Sequence, residues 1–473
     1  MGAFIGRHRE LQSLTKELGR IQADAGNAKP GRCILVRGRR RVGKSRLIEH
    51  FCMQAGVPYV YFTASQQGQR ELTYFSEEVL QSGLARRDVF SGVIPQTWDA
   101  ALRLLATALD DVAPTVVVID EFPYMIDRDP TIEATFQKQW DRVLSNKAVL
   151  LIVVGSDLAM MESLNTHERA FFQRGTEMVI PALSPKETAI IVNATSAADA
   201  FDAHLLTGGL PLNCAEWPAG LTMWEYLEEA LSEPTSALIV SAERVLAAEF
   251  PVEAQARSVL SQIGSGETSF SKIGRAAGGL QSASLHRSLD VLEKKRIIAQ
   301  EKPLSVRTSK EPRYRVTDPY LRFWLHFIGP HLAEIERGRG DRVLARMQRD
   351  WTTWRGRAIE PVIREALMRL SPIPGLPPAD VVGGYWTRTN VPEIDIIGAD
   401  TGPVADRIAY AGTIKWLDTQ PLTQSDVNEL VRTVIDVPGA SDNTPLIAVS
   451  RNGVTATGSL AVAFGPDDLI EAW

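Results

Sequence analysis

The sequence predicts an α/β fold with a parallel sheet in its N-terminal part. Three stretches carry that expectation. Cys33-Ile34-Leu35-Val36 is an apolar run leading into Gly38-Arg39-Arg40-Arg41-Val42-Gly43-Lys44-Ser45, after which Leu47, Ile48 and Phe51 share one helical face. Thr115-Val116-Val117-Val118-Ile119 is a β-branched run ending in Asp120-Glu121, and Ala148 to Val154 is another apolar run ending in Gly155-Ser156. Unbroken runs of this kind mark strands covered on both faces, as in a parallel sheet.

A strand, a glycine loop, Gly-Lys-Ser and a helix form the context of a phosphate-binding loop. Its glycines let the backbone curl so that successive N–H groups face a phosphate, and the next helix adds the positive end of its dipole. Gly38, Arg39, Arg40, Arg41, Val42, Gly43, Lys44, Ser45 and Arg46 are therefore the candidate ATP-binding residues. In such a loop Lys44 reaches the β- and γ-phosphates and the Ser45 hydroxyl ligates Mg²⁺. Ligands of α/β sheets bind at the carboxyl ends of the strands, where Asp120 is placed to hold Mg²⁺ and Glu121 to orient and deprotonate the attacking water.

Length and composition set the outer limits. At 473 residues the chain allows two to four domains. An apolar fraction of 44% and a charged fraction of 23% suit a globular protein with a sizeable core. A formal net charge of -6 does not mark the whole chain as a nucleic-acid binder, so any basic surface is local. Cys33, Cys52 and Cys214 are widely spaced, without partners at metal-ligand spacing, which fits a reducing cytosol. No basic-then-apolar leader and no bilayer-length apolar run is present, and the expectation is a cytoplasmic protein without membrane contact.

Taken in order, the chain begins with Phe4-Ile5-Gly6-Arg7 and a helix from about Arg9 through Ile21, in which Leu11, Leu14, Leu18 and Ile21 repeat at helical spacing. A short connection, Gly26 to Gly31, enters the first strand. Val57 to Phe62 reads as a second strand, and Leu72 to Leu109 as largely helical with a break near Gly92-Val93-Ile94-Pro95. Thr97 is the expected cap of the helix carrying Ala101, Leu104, Leu105 and Leu109. Ser156, at the polar end of its strand, is either a γ-phosphate sensor or a helix cap. Arg174, in Gln173-Arg174-Gly175, is a candidate for charge stabilisation in cis or toward a neighbouring subunit of a homo-oligomer, and equally a surface arginine. Residues from 181 to about 245 read as helical around Gly208-Gly209-Leu210-Pro211.

These motifs together resemble the archaeal-type P-loop ATPase family, related to the AAA+ and STAND groups, in the version fused to domain of unknown function 234. The residues that carry the likeness are Phe4 to Glu10, Gly38 to Ser45, Val116 to Glu121, Val153 to Ser156, Gln173 to Gly175 and Gly208 to Pro211. The resemblance implies a P-loop ATPase domain of the additional-strand type (1–182) with a helical lid (183–250). It implies ATP and Mg²⁺ as cofactors, with the Phe4–Arg7 box beside the adenine. A winged helix-turn-helix with linker (251–338) and a restriction-endonuclease-like α/β domain (339–473) complete the expected fold.

The winged-helix expectation rests on the layout. Helices from Glu253 to Gly264, from Phe270 and from Ala283 to Lys295 precede two short strands around Arg296–Ala299 and Tyr314–Val316. Arg275, His286, Arg287, Lys294, Lys295 and Arg296, with Lys302, Arg307, Lys310 and Arg313 in the wing, make a local basic excess suited to DNA phosphates. Ser282, Ser284, His286 and Arg287 are placed to reach base edges. Packing against protein is the other reading. The element Tyr314 to Trp324 follows, as in similar proteins.

In the last part, Trp351, Trp354, Gly356, Arg357 and Ala358-Ile359-Glu360-Pro361 lead into a helix through Leu370. Strands follow at Val381–Trp386, Glu393–Gly398, Arg407–Trp416 and Pro445–Val449, with a helix near Ser425–Asp436. A Glu on a helix, an Asp on one strand and a Lys on the next are the pattern of a metal-dependent nuclease, here Glu360, Asp395 and Lys415. The acid expected two residues before Lys415 is replaced by Thr413, which weakens metal binding, while Glu393 shares the strand face of Asp395. Three functions are open: an ATPase coupling nucleotide state to DNA binding or processing, an ATP-driven signalling switch with protein partners and an inactive nuclease-like domain, and a bare nuclease regulated by ATP.

Overall fold

Alternating strands and helices give the N-terminal part its layers, with helices on both faces of one sheet. The computed structural model describes residues 4–65, 68, 70–164, 166–167, 169, 173–249, 254–266 and 268–473. The chain divides into two units, Met1–Ala182 and Leu183–Trp473.

In the first unit α1 (His8–Ala23) buries Leu14, Leu18 and Ile21. Strand β1 (Arg32–Arg37) runs through the glycine loop into α2 (Lys44–Gln54), which buries Leu47, Ile48 and Phe51. Then come β2 (Tyr59–Thr63), α3 (Glu71–Gln81), α4 (Trp98–Ala108), β3 (Thr115–Asp120), α5 (Phe122–Arg128), α6 (Thr131–Arg142), β4 (Val149–Gly155), α7 (Leu158–Ser163) and β5 (Thr176–Val179). Their strands form one parallel sheet in the order β2-β3-β4-β1-β5. Both β3 and β4 are buried along their whole length, as their β-branched runs require. The strand lying between β1 and β3 in space is β4, while β2, which separates them in sequence, holds the sheet edge. Thr97 caps α4, accepting from the Ala100 N–H at 3.2 Å. Phe62, Phe75, Trp98, Phe122 and Phe136 pack edge-on or tilted in the core on one side of the sheet.

The second unit opens with five helices: α8 (Pro185–Val192), α9 (Ala197–Thr207), α10 (Pro211–Ala215), α11 (Met223–Ser232) and α12 (Ala237–Glu249). Gly208 and Gly209 both have positive φ between α9 and α10. A Cβ on Gly209 would overlap the Leu183 carbonyl oxygen, so this turn accepts only glycine. Three helices follow, α13 (Ala254–Ser265), α14 (Phe270–Ala276) and α15 (Ser282–Lys294), then the antiparallel pair β6 (Ile298–Glu301) and β7 (Arg313–Val316). Glu253, expected to start the first of these helices, lies outside the described residues.

After α16 (Pro319–Phe323) the backbone widens into a π turn at Trp324–Ile328, and α17 (Leu332–Glu336) leads to α18. The helix expected to follow from Trp351–Pro361 and run through Leu370 begins earlier: α18 is one helix of 31 residues, Gly340–Leu370, with Pro361 inside it. Proline removes one backbone donor there, but a buried stripe that includes Val343, Met347, Trp351, Trp354 and Ile359 before it continues with Ile363, Ala366 and Leu367 after it. Trp351 and Trp354 pack against Phe323 and Phe327. Tertiary burial on both sides of Pro361 outweighs the local break.

The C-terminal sheet contains β8 (Val381–Trp386), β9 (Glu393–Ala399), β10 (Ile408–Lys415), then α19 (Gln424–Val434), β11 (Leu446–Ser450), β12 (Val462–Phe464) and α20 (Pro466–Ile470). Its order is β12-β11-β10-β9-β8, antiparallel from β8 to β10 and parallel from β10 to β12. Leu304, from the segment joining β6 to β7, is part of this sheet's core with Ile394, Ile397, Ala411, Leu430 and Val434. Among the described residues no helix is long and apolar enough to cross a membrane. All three cysteines are free and buried.

Candidate functional site

The glycine loop is held from below by the N-terminal segment. Arg7 is buried with a left-handed backbone, and its guanidinium donates to the carbonyls of Val42 at 2.9 Å and Pro181 at 2.7 Å. Gly38 has no room for a side chain, since a Cβ would sit 2.5 Å from the Ile180 carbonyl oxygen. Gly43 takes φ +88° as the residue that starts α2. Together these contacts set the curl of the loop and leave Lys44 and Ser45 in the first turn of the helix.

Lys44 is buried, and its Nζ donates to the carbonyls of Gly38 at 2.9 Å and Arg39 at 3.0 Å. Burial lowers its pKa to about 8, against the opposing pull of the Glu121 and Asp120 carboxylates. Asp120, Glu121 and Ser156 meet at the ends of β3 and β4. The Glu121 N–H donates to Asp120 Oδ1 at 2.9 Å, and Ser156 Oγ donates to Glu121 Oε2 at 2.8 Å. Asp157, rather than Ser156, caps α7, accepting from the Met160 N–H at 2.9 Å. Glu121 has a left-handed backbone, φ 54° and ψ 40°, just ahead of α5. For a side chain of this size that conformation costs about 1–3 kcal/mol and is characteristic of functional positions.

Tyr61 was not singled out from the sequence. Its hydroxyl donates to Asp120 Oδ2 at 2.9 Å and lies 3.5 Å from the Ser45 carbonyl oxygen. The only signal for it was a polar-tipped residue near the carboxyl end of a strand. Asp120 and Ser45 are thus tied to one neighbour, and a carboxylate with a hydroxyl is an oxygen donor set suited to Mg²⁺. Of the loop arginines, Arg40 donates to the Tyr124 hydroxyl at 3.2 Å. Arg37, just before the loop, pairs with Glu162 at 2.8 Å and Glu177 at 3.1 Å. Arg174 pairs with Asp141 near the end of α6 at 2.8 Å.

Each of the three residues of the nuclease pattern has its own hydrogen-bond partners. Glu360 accepts from Arg364 at 2.9 Å, and the same guanidinium donates through Nε to the Asp395 carbonyl oxygen at 2.9 Å. The Asp395 carboxylate accepts from Thr413 Oγ1 at 3.0 Å and the Ile414 N–H at 2.8 Å. Lys415 instead pairs with Asp426 at 2.7 Å, the residue that also caps α19 through Thr423. Glu393 is engaged by Arg313 at 2.6 Å. An arginine therefore supplies the positive charge beside Glu360. Among the described residues no cluster of three or more His, Cys, Asp or Glu side chains could hold a metal ion.

Burial pushes the Glu360 carboxyl up to about 7, with Arg364 and Arg322 pulling the other way. A carboxyl raised in the folded state stabilises the fold at low pH and loses that contribution as pH rises through its folded pKa. Stability should therefore fall between about pH 4.5 and pH 7–8, by roughly 1–2 kcal/mol for a group that keeps some solvent contact. Glu360→Gln should flatten that slope in denaturant titrations followed by tryptophan fluorescence at pH 5 and pH 8. An unchanged slope would assign the pH dependence to another group.

On α15, His286 and Arg287 are exposed. His286 packs on Phe270 with ring centroids 4.5 Å apart, and Arg287 donates to Ser284 Oγ at 3.3 Å. The basic wing expected from Lys302 to Arg313 does not stand free. Leu304 is buried and its N–H donates to the Gly384 carbonyl at 2.9 Å, while the Val306 N–H donates to Pro438 at 3.2 Å. Arg313 stacks over Trp386 at 4.4 Å besides pairing with Glu393. The apolar side chains within this polar segment are what draw it onto the C-terminal sheet.

A five-stranded parallel sheet in this order, with its glycine loop after β1 and an Asp-Glu pair ending β3, is the arrangement of a P-loop nucleotide-binding domain. Residues 28–159 match the family model described as AAA domain, and residues 324–430 match DUF234, described as archaea bacterial proteins of unknown function. The chain thus combines an AAA domain with a C-terminal DUF234 segment. An uncharacterized protein of Methanocaldococcus jannaschii is 24% identical over 433 residues, spanning 91% of this chain and 90% of that protein. Among solved structures, the Walker-type ATPase PABY2304 of Pyrococcus abyssi is 19% identical and aligns over 68% of this chain and 96% of its own, with a TM-score of 0.46. The ORC2 protein of Aeropyrum pernix is 12% identical over 74% of this chain and 97% of its own, with a TM-score of 0.44.

Proposed function

We propose that this protein is a Mg²⁺-dependent ATPase whose nucleotide state governs DNA binding through a winged helix, with a C-terminal domain that does not cleave. The observation that carries the ATPase assignment is the hydrogen-bonded line Tyr61–Asp120–Glu121–Ser156 beside Lys44. Lys44 would exchange the carbonyls of Gly38 and Arg39 for phosphate oxygens, and the loop amides would cradle the remaining charge. Mg²⁺, held by Ser45 and Asp120, would neutralise the phosphates and order them for attack. Glu121 would take the proton of the attacking water, with Ser156 holding its carboxylate in one rotamer. Tyr61 would keep Asp120 oriented toward Ser45.

Helix α15 and its exposed His286 and Arg287 would supply the DNA contact, with phosphate attraction dominating. The C-terminal domain would act as a binding or coupling module, because Arg364 occupies the neighbourhood of Glu360 and Lys415 is committed to Asp426. One observation favours the alternative of a switch with protein partners: the β6–β7 segment is docked on the C-terminal sheet, which removes the wing from a free DNA-reading position.

ATP turnover of the purified chain, with and without duplex DNA at about 50 mM salt, tests both. The expected result is a several-fold stimulation and a mobility shift that fades with salt, without Mg²⁺-dependent nicking. Turnover indifferent to DNA, with no shift, would remove the DNA reading and leave the protein-partner switch. Nicking lost in Asp395→Ala would overturn the non-cleaving assignment.

A further inference from the structure

Outside the phosphate loop, the second unit contains a cavity of about 570 Å³. Its walls come from the α8–α9 connection, α9, the start of α11, α18, and the segments after β10 and β11. That volume is in the range of a small organic ligand.

Two kinds of wall meet there. One is aromatic. Trp217 stacks on Tyr226 with centroids 4.5 Å apart, and Trp224 meets Trp351 edge-on at 5.8 Å. The other wall is a charge quartet in which Asp202 and Arg355 are buried and Asp418 reaches solvent. Asp202 Oδ2 accepts from Arg355 at 3.0 Å and Arg451 at 2.8 Å, and Asp418 pairs with the same two arginines at 2.8 Å each. Two arginines and two aspartates cancel.

Three polar atoms in this lining are left over. Asp202 Oδ1, Arg355 Nε and Trp351 Nε1 are buried without a hydrogen-bond partner among the described residues. Asp202 and Arg355 are both more than nine-tenths buried. A buried polar atom without a partner costs about 1–3 kcal/mol unless something binds it.

We propose that this cavity binds a small uncharged ligand with a nucleobase, a nucleoside. The flat aromatic faces suit a planar heterocycle, and a base edge presents a donor and an acceptor side by side, matching Asp202 Oδ1 and Trp351 Nε1. A cation would satisfy the acceptor alone and leave both donors unmatched. A phosphate is disfavoured because both arginines are neutralised by Asp202 and Asp418, and Asp199 adds negative charge to the lining. A bound nucleoside would bridge α9 and α18, fastening the opening helices of this unit to the helix that leads into its C-terminal sheet.

The test uses the full chain carrying Lys44→Ala, which silences the phosphate loop. Adenosine, guanosine, cytidine and uridine, and their 5′-monophosphates, are titrated by calorimetry. At least one nucleoside should bind with a dissociation constant of about 10–100 μM, and its monophosphate about tenfold more weakly. Trp224→Ala should weaken binding by about tenfold or more. Trp351→Phe, which keeps a ring but loses the N–H, should weaken it about fivefold. Circular dichroism confirms folding, and Trp351→Phe carries the test if Trp224→Ala does not fold. No binding of any of the four up to about 5 mM overturns the proposal, as does a monophosphate that binds more tightly. Binding that both variants leave unchanged would place the nucleoside elsewhere and also overturn it.

Discussion

Glu121→Gln is expected to bind ATP as tightly as the unaltered protein and to turn it over about 10²–10⁴-fold more slowly, the usual loss when a general base is removed. The reasoning is local. Glutamine keeps the size of the side chain and an oxygen to accept from Ser156, which donates to Glu121 Oε2 at 2.8 Å. Its amide cannot take a proton from water. The left-handed backbone at this residue is set by the turn from β3 into α5, and glutamine fits it no worse than glutamate. Binding of a fluorescent ATP analogue and single-turnover hydrolysis separate the two effects. Unchanged hydrolysis would move the base to another residue, and lost binding would mean that Glu121 shapes the site rather than acting in it.

Arg355→Ala should markedly destabilise the second unit. Arg355 is 1% exposed and pairs with Asp202 and Asp418. Removing it leaves Asp202, whose side chain is also buried, with Arg451 as its one remaining cation in that quartet. Breaking a buried pair from one side costs about 3–5 kcal/mol. For a folding unit of this size that is roughly a 10 °C drop in midpoint. Asp202 shows the same stress, since burial raises its carboxyl to about 6 in spite of two neighbouring arginines. Calorimetry should find the drop in one transition, and Arg355→Ala combined with Asp202→Asn should recover part of it because no buried charge is then left over. A double variant as unstable as the single one would mean that lost packing, not the orphaned charge, dominates.

What could be read from the sequence was local in origin. The loop from Gly38 to Ser45 lies within eight consecutive residues, and β3 and β4 announce their burial by their own composition. Asp120 and Glu121 follow from the end of one run. What stayed hidden depends on partners far along the chain. Tyr61 meets Asp120 from 59 positions away, Arg7 reaches Pro181 across 174, and Arg355 finds Asp202 across 153. No periodicity encodes such meetings. The spacing of Glu360, Asp395 and Lys415 was visible in the same local way, but not that Arg364 pairs with Glu360 and Asp426 with Lys415. The full length of α18 was not legible because the stripe from Val343 to Ile359 is read out only against Phe323 and Phe327.

The docking of Leu304 and Val306 has a bearing on inheritance. A residue sixty or more positions ahead of the strands it supports fills the interior of the C-terminal sheet. Recombination between related genes that cut the chain near Arg339 would separate a plug from its socket, leaving one parent's Leu304 facing another parent's Gly384. Segments from about Lys302 onward should therefore pass between lineages as one cassette, although the eye sees the boundary at the long helix. Drift at Leu304 should be matched by drift at Gly383 and Gly402, whose missing side chains make the room it occupies.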